Sequence, residues 1–331
     1  MLYIVTFNKY FGQHLYAGSS LNIEEIKNIL IEWKVKTELI ELNDLINTGI
    51  NKDDHYWITS HQNKDIKKYL NDVVLSLFIN NKDNLITPIE LYFAHENKGI
   101  QSLLYENGKG INLVNQNYYI NSINIGSKSV FKMIDGYGSN GVRLVNNKND
   151  IEKIIKKQNL LDTSISRIIE KTKQKIKKII LRKSNKIPES YQSERVPYVI
   201  QDFITGLKFD YKVLIFWNHV YVLERKVRKN DFRASGSGLF NFIEADKDLI
   251  IFCKKIRDKI KSPFLSLDIV KCKNNTYYCI EYQGTHFGPY TQINAEFYYE
   301  INSLNDVIKE KNINTLEHEY AYSILNHLRD N

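Results

Sequence analysis

The sequence predicts a mixed α/β protein in which an N-terminal α/β domain is followed by two α+β lobes. Three observations carry this. Short apolar runs alternate with helical patterns through the first hundred residues, a glycine-tipped hairpin pattern follows at 129–145, and closely spaced strands lead to a closing hairpin at 265–282. A strand–helix rhythm of the first kind builds a parallel sheet, because parallel neighbours need a crossover between them.

In chain order, Leu2–Phe7 reads as a strand and Ile23–Trp33 repeats apolar residues at helical spacing, with Ser20 and Asn22 available as caps. Thr37–Leu42 and His55–Thr59 read as strands, Asp65–Phe78 as a helix, and Ile89–Tyr105 as one helix leading to the next lobe. Ser129–Lys132 and Val142–Val145 are short strands on either side of the glycine-rich Asp135–Gly141. Asp150–Lys157 opens a helical stretch that continues, with breaks, to about Ser184, and the polar 185–197 stretch with its two prolines reads as a loop. Tyr198–Ile204, Tyr211–Phe216 and His219–Val227 read as a three-stranded meander. Asp246–Lys261 is an amphipathic helix, Leu265–Cys272 and Thr276–Tyr282 form a hairpin around Lys273-Asn274-Asn275, and Thr315–Leu328 is a last helix. The expected domains are 1–95, 96–204 with a basic helical insertion at about 151–195, and 205–331.

The 331 residues, 43% apolar and 25% charged, suffice for several lobes with cores of their own. No run of 18 apolar residues occurs, and the apolar start stops at Asn8-Lys9, so Leu2–Phe7 is read as a buried strand and a cytoplasmic protein is expected. Three cysteines without metal-type spacing fit a reducing compartment. The net charge is +8, and residues 151–195 alone hold thirteen Lys/Arg against five Asp/Glu. The excess therefore sits in one segment, and no specific nucleic-acid partner is expected. Isoleucines interleaved with lysines over Ile168–Ile180 read as a packed amphipathic helix, with weak contact to an anionic surface as the alternative.

Three places hold residues suited to chemistry. In the glycine-rich tip, backbone N–H groups can approach phosphate oxygens, and Lys132 at the end of the preceding strand adds a positive charge. No Gly-Lys-Ser/Thr opens a helix, so this is not a Walker A loop, and an ordinary hairpin turn remains the alternative. In the closing hairpin, Glu281 and Gln283 are two apart and share a face, and Asp268 can join them across the ladder. Three oxygen donors suit Mg²⁺, a solvated strand face being the plainer reading. Around the meander's end, arginines and a Gly/Ser loop run from Glu224 to Gly238; guanidinium forks suit a transferring phosphoryl group.

The run from Lys132 through Gly141, then Val199–Ile204, Asp231–Ser235, Leu267–Val270 and Ile280–Gly284, resembles the ATP-grasp superfamily, in particular its ribosomal-protein glutamyl ligase and D-alanine–D-alanine ligase branch. The likeness spans about residues 95 to 290. It implies an ATP-grasp-like fold clasping Mg-ATP between two lobes. Lys98 and Lys132 would be the nucleotide-contacting lysines, and Gly136, Gly138, Ser139 and Gly141 part of the loop closing over the phosphates. Gln201, Asp202 and Phe203 would line the adenine hinge, with Asp210 on the ribose side and Ser235 near the γ-phosphate. Arg225 and Arg233 would offset charge in the transfer, and Asp268, Glu281 and Gln283 would hold Mg²⁺, with Mn²⁺ as an alternative. Gln283 and Ser235 stand where the family usually has Asn, and the glutamine's amide sits one methylene further out. The implied activity is ADP-forming ligation of a carboxylate to an amine through an acylphosphate, with a thiol as the other acceptor such ligases use. The substrates would be small, a sugar- or peptide-linked one among them. A phosphotransferase on the same scaffold and a non-catalytic nucleotide- or polymer-binding protein are the alternatives. His286, after the metal strand, reads as structural, with a substrate contact as the sharper option.

Overall fold

The computed structural model describes residues 1–16, 18–104, 111–135, 141–161, 173 and 196–330. The chain is mixed α/β with three sheets among the described residues and divides into two units, Met1–Val114 with Asp135–Asn140 and Ile204–Asn331, and Asn115–Ile134 with Gly141–Phe203.

The first unit opens with β1 (Leu2–Thr6), α1 (Ile23–Glu32), β2 (Thr37–Glu41), α2 (Leu42–Thr48), β3 (His55–Ile58) and α3 (Lys64–Phe78). The strands form the expected parallel sheet in the order β2-β1-β3, with Leu2 level with Thr37 and His55. Asn22 caps α1 by accepting from the Glu25 N–H, and Asn63 caps α3 by accepting from those of Asp65 and Ile66. The sequence pattern did not separate α2 from β2; Leu42 and Leu45 bury its inner face, and Gly49, at φ +75°, ends it.

The stretch expected as a single helix over Ile89–Tyr105 is two, α4 (Ile89–Ala94) and α5 (Lys98–Leu104). The chain breaks between them at Glu96, whose φ is +48°. A left-handed conformation at a residue with a Cβ costs on the order of 1 kcal/mol. It is held by hydrogen bonds from the turn to a residue far along the chain, described below, which local propensity cannot anticipate.

The second unit is a four-stranded antiparallel sheet in the order β4-β7-β5-β6, built from β4 (Gln116–Tyr119), β5 (Ser129–Met133), β6 (Val142–Val145) and β7 (Tyr198–Asp202), with α6 (Lys148–Leu161). Phe131, Val145, Tyr198 and Ile200 pack with Ile151 of α6 as its core. The Tyr198–Ile204 strand therefore joins β4 and β5 rather than forming a meander with the two strands after it, because its partners face it across a long connection. The helical continuation beyond residue 161 and most of the basic insertion lie outside the described residues.

The first unit resumes with β8 (Phe209–Phe216), β9 (His219–Lys226), β10 (Phe240–Asn241), α7 (Lys247–Ile260), β11 (Phe264–Lys271), β12 (Tyr277–Gln283), α8 (Tyr290–Asn294), β13 (Phe297–Ile301), β14 (Val307–Lys311) and α9 (Leu316–Asp330). The sheet runs β12-β11-β8-β9-β13-β14, with β10 also on β9. Strand alternation sends Val213, Ile215, Val222, Leu265, Leu267 and Ile269 to a core shared with Leu249, Cys253 and Ile256 of α7. Leu214, Phe216, Tyr221 and Phe264 go to the opposite face, against Trp57 of β3 and Tyr320 of α9. Glu319 of α9 is fully buried there, accepting from Tyr221 Oη at 2.8 Å and lying 2.9 Å from His219 Nδ1. Among the described residues no helix is long and apolar enough to cross a membrane.

Candidate active site

The face of the large sheet that carries Phe216 and Phe264 changes character along its strands. Two residues on from Leu214 toward the start of β8 comes Lys212, then Asp210; from Phe264, alternation through Ser266 reaches Asp268. Register does the rest. Asp268 lies opposite Lys212 on one side and Glu281 on the other, and Asp210 lies opposite Arg225. Four strands thus bring two rows of charged side chains to one face, at the end where the apolar packing stops. A bulge between Asp268 and Ile269 shifts the register of β11 against β12 just past the Asp268–Glu281 pair.

Arg225 is buried and forks onto Asp210, with Nε 2.7 Å from Oδ1 and Nη2 2.9 Å from Oδ2. The same Nη2 lies 3.0 Å from Asp268 Oδ2, and Lys212 Nζ donates to Asp268 Oδ1 at 2.9 Å. Desolvation alone would raise the Asp268 carboxyl, but Arg225 and Lys212 outweigh it and hold the group well below the usual carboxylate range. Asp210 has the opposite balance. Burial pushes it up to about 6, and Arg225 offsets only part of the shift. Arg225 Nη1 bonds to none of the described residues, so that edge of the guanidinium is the one available to an anion.

Glu281 is flanked by Lys98 Nζ at 3.6 Å and by Gln283 Nε2 at 3.3 Å. Gln283 is oriented away from an oxygen-ligand role. Its Oε1 accepts from the Glu96 backbone N–H at 3.2 Å and lies 3.0 Å from His95 Nδ1. The Glu96 N–H is a donor only, which fixes the oxygen on that side and the amide nitrogen toward Glu281. Gly284 follows because the backbone approaches α4 closely here; a Cβ would lie 2.4 Å from Leu91 Cδ1. Glu96 in turn faces Lys67 Nζ at 3.6 Å.

Arg233 is held by Asp231, with Nη2 2.7 Å from Oδ2, and chiefly this bond lowers the Asp231 carboxyl to about 2. Arg228 donates to the carbonyls of Ser235 and Gly236 in the same loop. In the second unit, Lys132 and Gln201 are buried on the sheet face opposite Phe131 and Ile200. Gln201 Nε2 donates to Gln116 Oε1 at 2.8 Å. Asp202, one residue on, points to the other side and is exposed, 3.0 Å from Asn115 Nδ2, while Phe203 lies under Lys128 Nζ at 4.8 Å. Gly141 closes the β5–β6 hairpin at φ +78°, where a Cβ would lie 2.7 Å from Met133 Cγ. Gly136, Gly138 and Ser139 lie outside the described residues.

Sequence reasoning placed Asp268, Glu281, Arg225 and Lys98 in one neighbourhood, and the first unit brings them together. It passed over Lys212, although the signal was present: Lys212 has the same strand phase as Asp210 in an otherwise apolar β8. It also passed over His95 and Glu96, whose role depends on the end of β12. For a divalent cation the site offers the two facing carboxylates Asp268 and Glu281, whose oxygens now face Lys212, Arg225 and Lys98. No third His, Cys, Asp or Glu joins them among the described residues, and two carboxylates suit Mg²⁺ only with phosphate and water completing its shell. The Gln283 oxygen is engaged elsewhere.

No protein-family model matches the chain, and no curated protein matches it by sequence. Solved structures do match. The ligase PsnB complexed with precursor peptide PsnA2 and AMPPNP aligns over 99% of this chain and 98% of its own, at TM-score 0.53 and 8% identity. D-alanine–D-alanine ligase from Bacillus anthracis, complexed with ATP, aligns over 100% and 99% at TM-score 0.51 and 14% identity. D-cycloserine synthetase DcsG aligns over 99% of both chains at TM-score 0.51 and 8% identity. With three sheets in this arrangement and near-complete coverage of several such enzymes, the chain has the ATP-grasp fold.

Proposed function

We propose that this chain is an ADP-forming, ATP-dependent ligase that joins a carboxylate to an amine. The observation that carries the reading is the buried array in which Arg225 bridges Asp210 and Asp268 while Glu281 faces Asp268 across the ladder. A fold shared with ligases complexed with ATP or AMPPNP supports the nucleotide. A buried ion-pair array adds little stability over apolar packing, which supports a functional reading of these charges.

In this reading Asp268 and Glu281 hold Mg²⁺, which when bound screens the phosphate oxygens. Arg225 offers Nη1 to the transferring phosphoryl group, and Asp210 keeps the guanidinium from rotating. Arg233 and Ser235 contribute from the loop after β9, and Lys98 keeps Glu281 in place. The proposed nucleotide contacts of the second unit are Lys132, Gly141, Gln201, Asp202 and Phe203, with Gly136, Gly138 and Ser139 of the adjoining loop. A substrate carboxylate oxygen attacks the γ-phosphorus and the bond to the β–γ bridging oxygen breaks, releasing ADP. The amine then attacks the acyl carbon, phosphate leaves, and the nitrogen loses a proton.

The test is ADP release against a panel of carboxylates paired with amines, with Glu281→Ala as control. At least one pair is expected to raise ADP release above the control by on the order of 10²-fold or more. Phosphorus NMR of the product distinguishes free phosphate with an amide from a stable phosphoester. No substrate-dependent ADP release, or a phosphoester product, removes the ligase reading.

A further inference from the structure

Beside the charged array, the first unit holds a second polar cluster that the reaction above does not use. Tyr10 follows β1, His61 follows β3, His95 ends α4 and His286 follows β12. The Tyr10 ring lies 5.1 Å from that of His61 and 6.4 Å from that of His286, and His286 lies 5.5 Å from His95. Gln13 joins them, its Oε1 3.0 Å from His286 Nε2 and 2.9 Å from Gln62 Nε2. Through Gln283, His95 connects this cluster to Glu281.

The hydrogen-bonding capacity left over there has a definite pattern. His95 Nδ1 faces the Gln283 oxygen and so carries the proton. Its Nε2 is then an acceptor, and it is buried with no partner. Ser60 Oγ is likewise buried without a partner. His61 Nδ1 accepts from the Asn63 N–H at 2.8 Å, which leaves Nε2–H as a donor with no partner among the described residues. The Tyr10 hydroxyl also has none. His286 Nδ1 is buried without a partner too, whereas Tyr10 and His61 are only half-buried. Buried polar atoms in folded proteins are satisfied with few exceptions, and three such atoms beside two accessible polar groups point to a missing ligand.

Charge narrows the class. Burial lowers the imidazoles of His61, His95 and His286, the last to about 4, and pushes the Tyr10 phenol up to about 12, so these groups are neutral at pH 7. Beside His95, Lys67 and Glu96 face one another at 3.6 Å. A carboxylate asks for donors only and an ammonium for acceptors only. A hydroxyl gives and accepts on one atom, matching a cluster that offers two bare acceptors, His95 Nε2 and His286 Nδ1, a bare N–H and two hydroxyls.

We propose that Tyr10, Ser60, His61 and His95 bind the hydroxyl groups of a polyhydroxylated, sugar-like substrate. This rests on the ligase reading for its link to catalysis, but the binding itself is measurable without turnover. The experiment is ligand-observed saturation-transfer NMR on the full chain without nucleotide, using D-glucuronate, D-glucosamine and cyclohexanecarboxylate as probes. A hydroxylated probe is expected to receive saturation and cyclohexanecarboxylate none, with Tyr10→Phe and His61→Gln each reducing the transfer at least threefold at unchanged Tm. Signal from glucuronate alone assigns the hydroxyls to the carboxylate substrate; signal from glucosamine alone assigns them to the amine; either upholds the proposal. Equal transfer to cyclohexanecarboxylate, no transfer to either sugar, or indifference to both variants overturns it. Titration of Mg-ATP in parallel keeps the two readings apart, since sugar binding without nucleotide binding removes only the ligase.

Discussion

Arg225 lies between two carboxylates that respond to acid in opposite ways. Asp210 is raised to about 6 by burial, whereas Asp268 is held low by Arg225 and Lys212. As pH falls, Asp210 therefore takes up a proton first, and the fork that fixes Arg225 loses its anionic half while Asp268 is still ionised. Activity is expected to decline below an apparent pKa near 6, and Asp210→Asn, lower at its plateau, should lack that acid limb. The sign for stability is the reverse. A carboxyl raised above its ordinary value of about 4 binds its proton more tightly in the native state, so between about 6 and 4 acidification stabilises the fold through this group. A pH–rate profile of both proteins, with melting curves at pH 7 and 5, decides it. If the limb survives in Asp210→Asn, or if it tracks a fall in Tm, Asp210 is not its source.

At the scale of elements, the junction between α4 and α5 is built around the end of β12. The two hydrogen bonds from the His95–Glu96 turn to the Gln283 oxygen stabilise a left-handed residue and place Lys98 against Glu281. Gln283→Leu keeps much of the volume but leaves a buried imidazole N–H and a backbone N–H without an acceptor, a loss of about 2 kcal/mol. The metal-free variant should accordingly show a lower Tm. Were the glutamine a metal ligand instead, the variant would weaken Mg²⁺ binding and leave the metal-free Tm where it was. This junction also marks the limit of what the sequence disclosed. The closing hairpin was legible because Asp268, Glu281 and Gln283 interrupt apolar strands, and a two-residue period assigns their faces. The helix break was not, because its cause lies 187 residues away, and Ile89–Tyr105 has the local pattern of one helix. Nor could the pattern show that β7 pairs with β5 while β8 pairs with β9, since an apolar strand of five residues fits either sheet.

Over the whole molecule, the large sheet of the first unit is what makes a charged cluster tolerable. One face packs against α7 and against Leu91 and Ala94 of α4, and the other is apolar where Phe216 and Phe264 meet α9 and polar where Asp210, Arg225 and Asp268 gather. The apolar end supplies the packing that holds the strands in register, and the register aligns the charges, so folding and site assembly are one event. Ligand binding must then feed back on stability. If Mg-ATP binds the native chain and not the unfolded one, a concentration of about 100 Kd stabilises by about 2.7 kcal/mol. With an unfolding entropy of about 2.1 cal/mol/K per residue, a chain of this size should gain roughly 4 °C in Tm. Glu281→Ala should lose most of the gain seen with Mg-ATP over ATP with EDTA, while its ligand-free Tm stays within about 1 °C of the parent, because Glu281 is only partly buried and its removal opens no core cavity. Differential scanning fluorimetry with ATP, Mg²⁺ and both together checks this. A shift with ATP alone that Mg²⁺ does not enlarge would separate the carboxylates from the nucleotide site, and an unchanged Tm under all three conditions would mean that the first unit's charged face has no part in binding it.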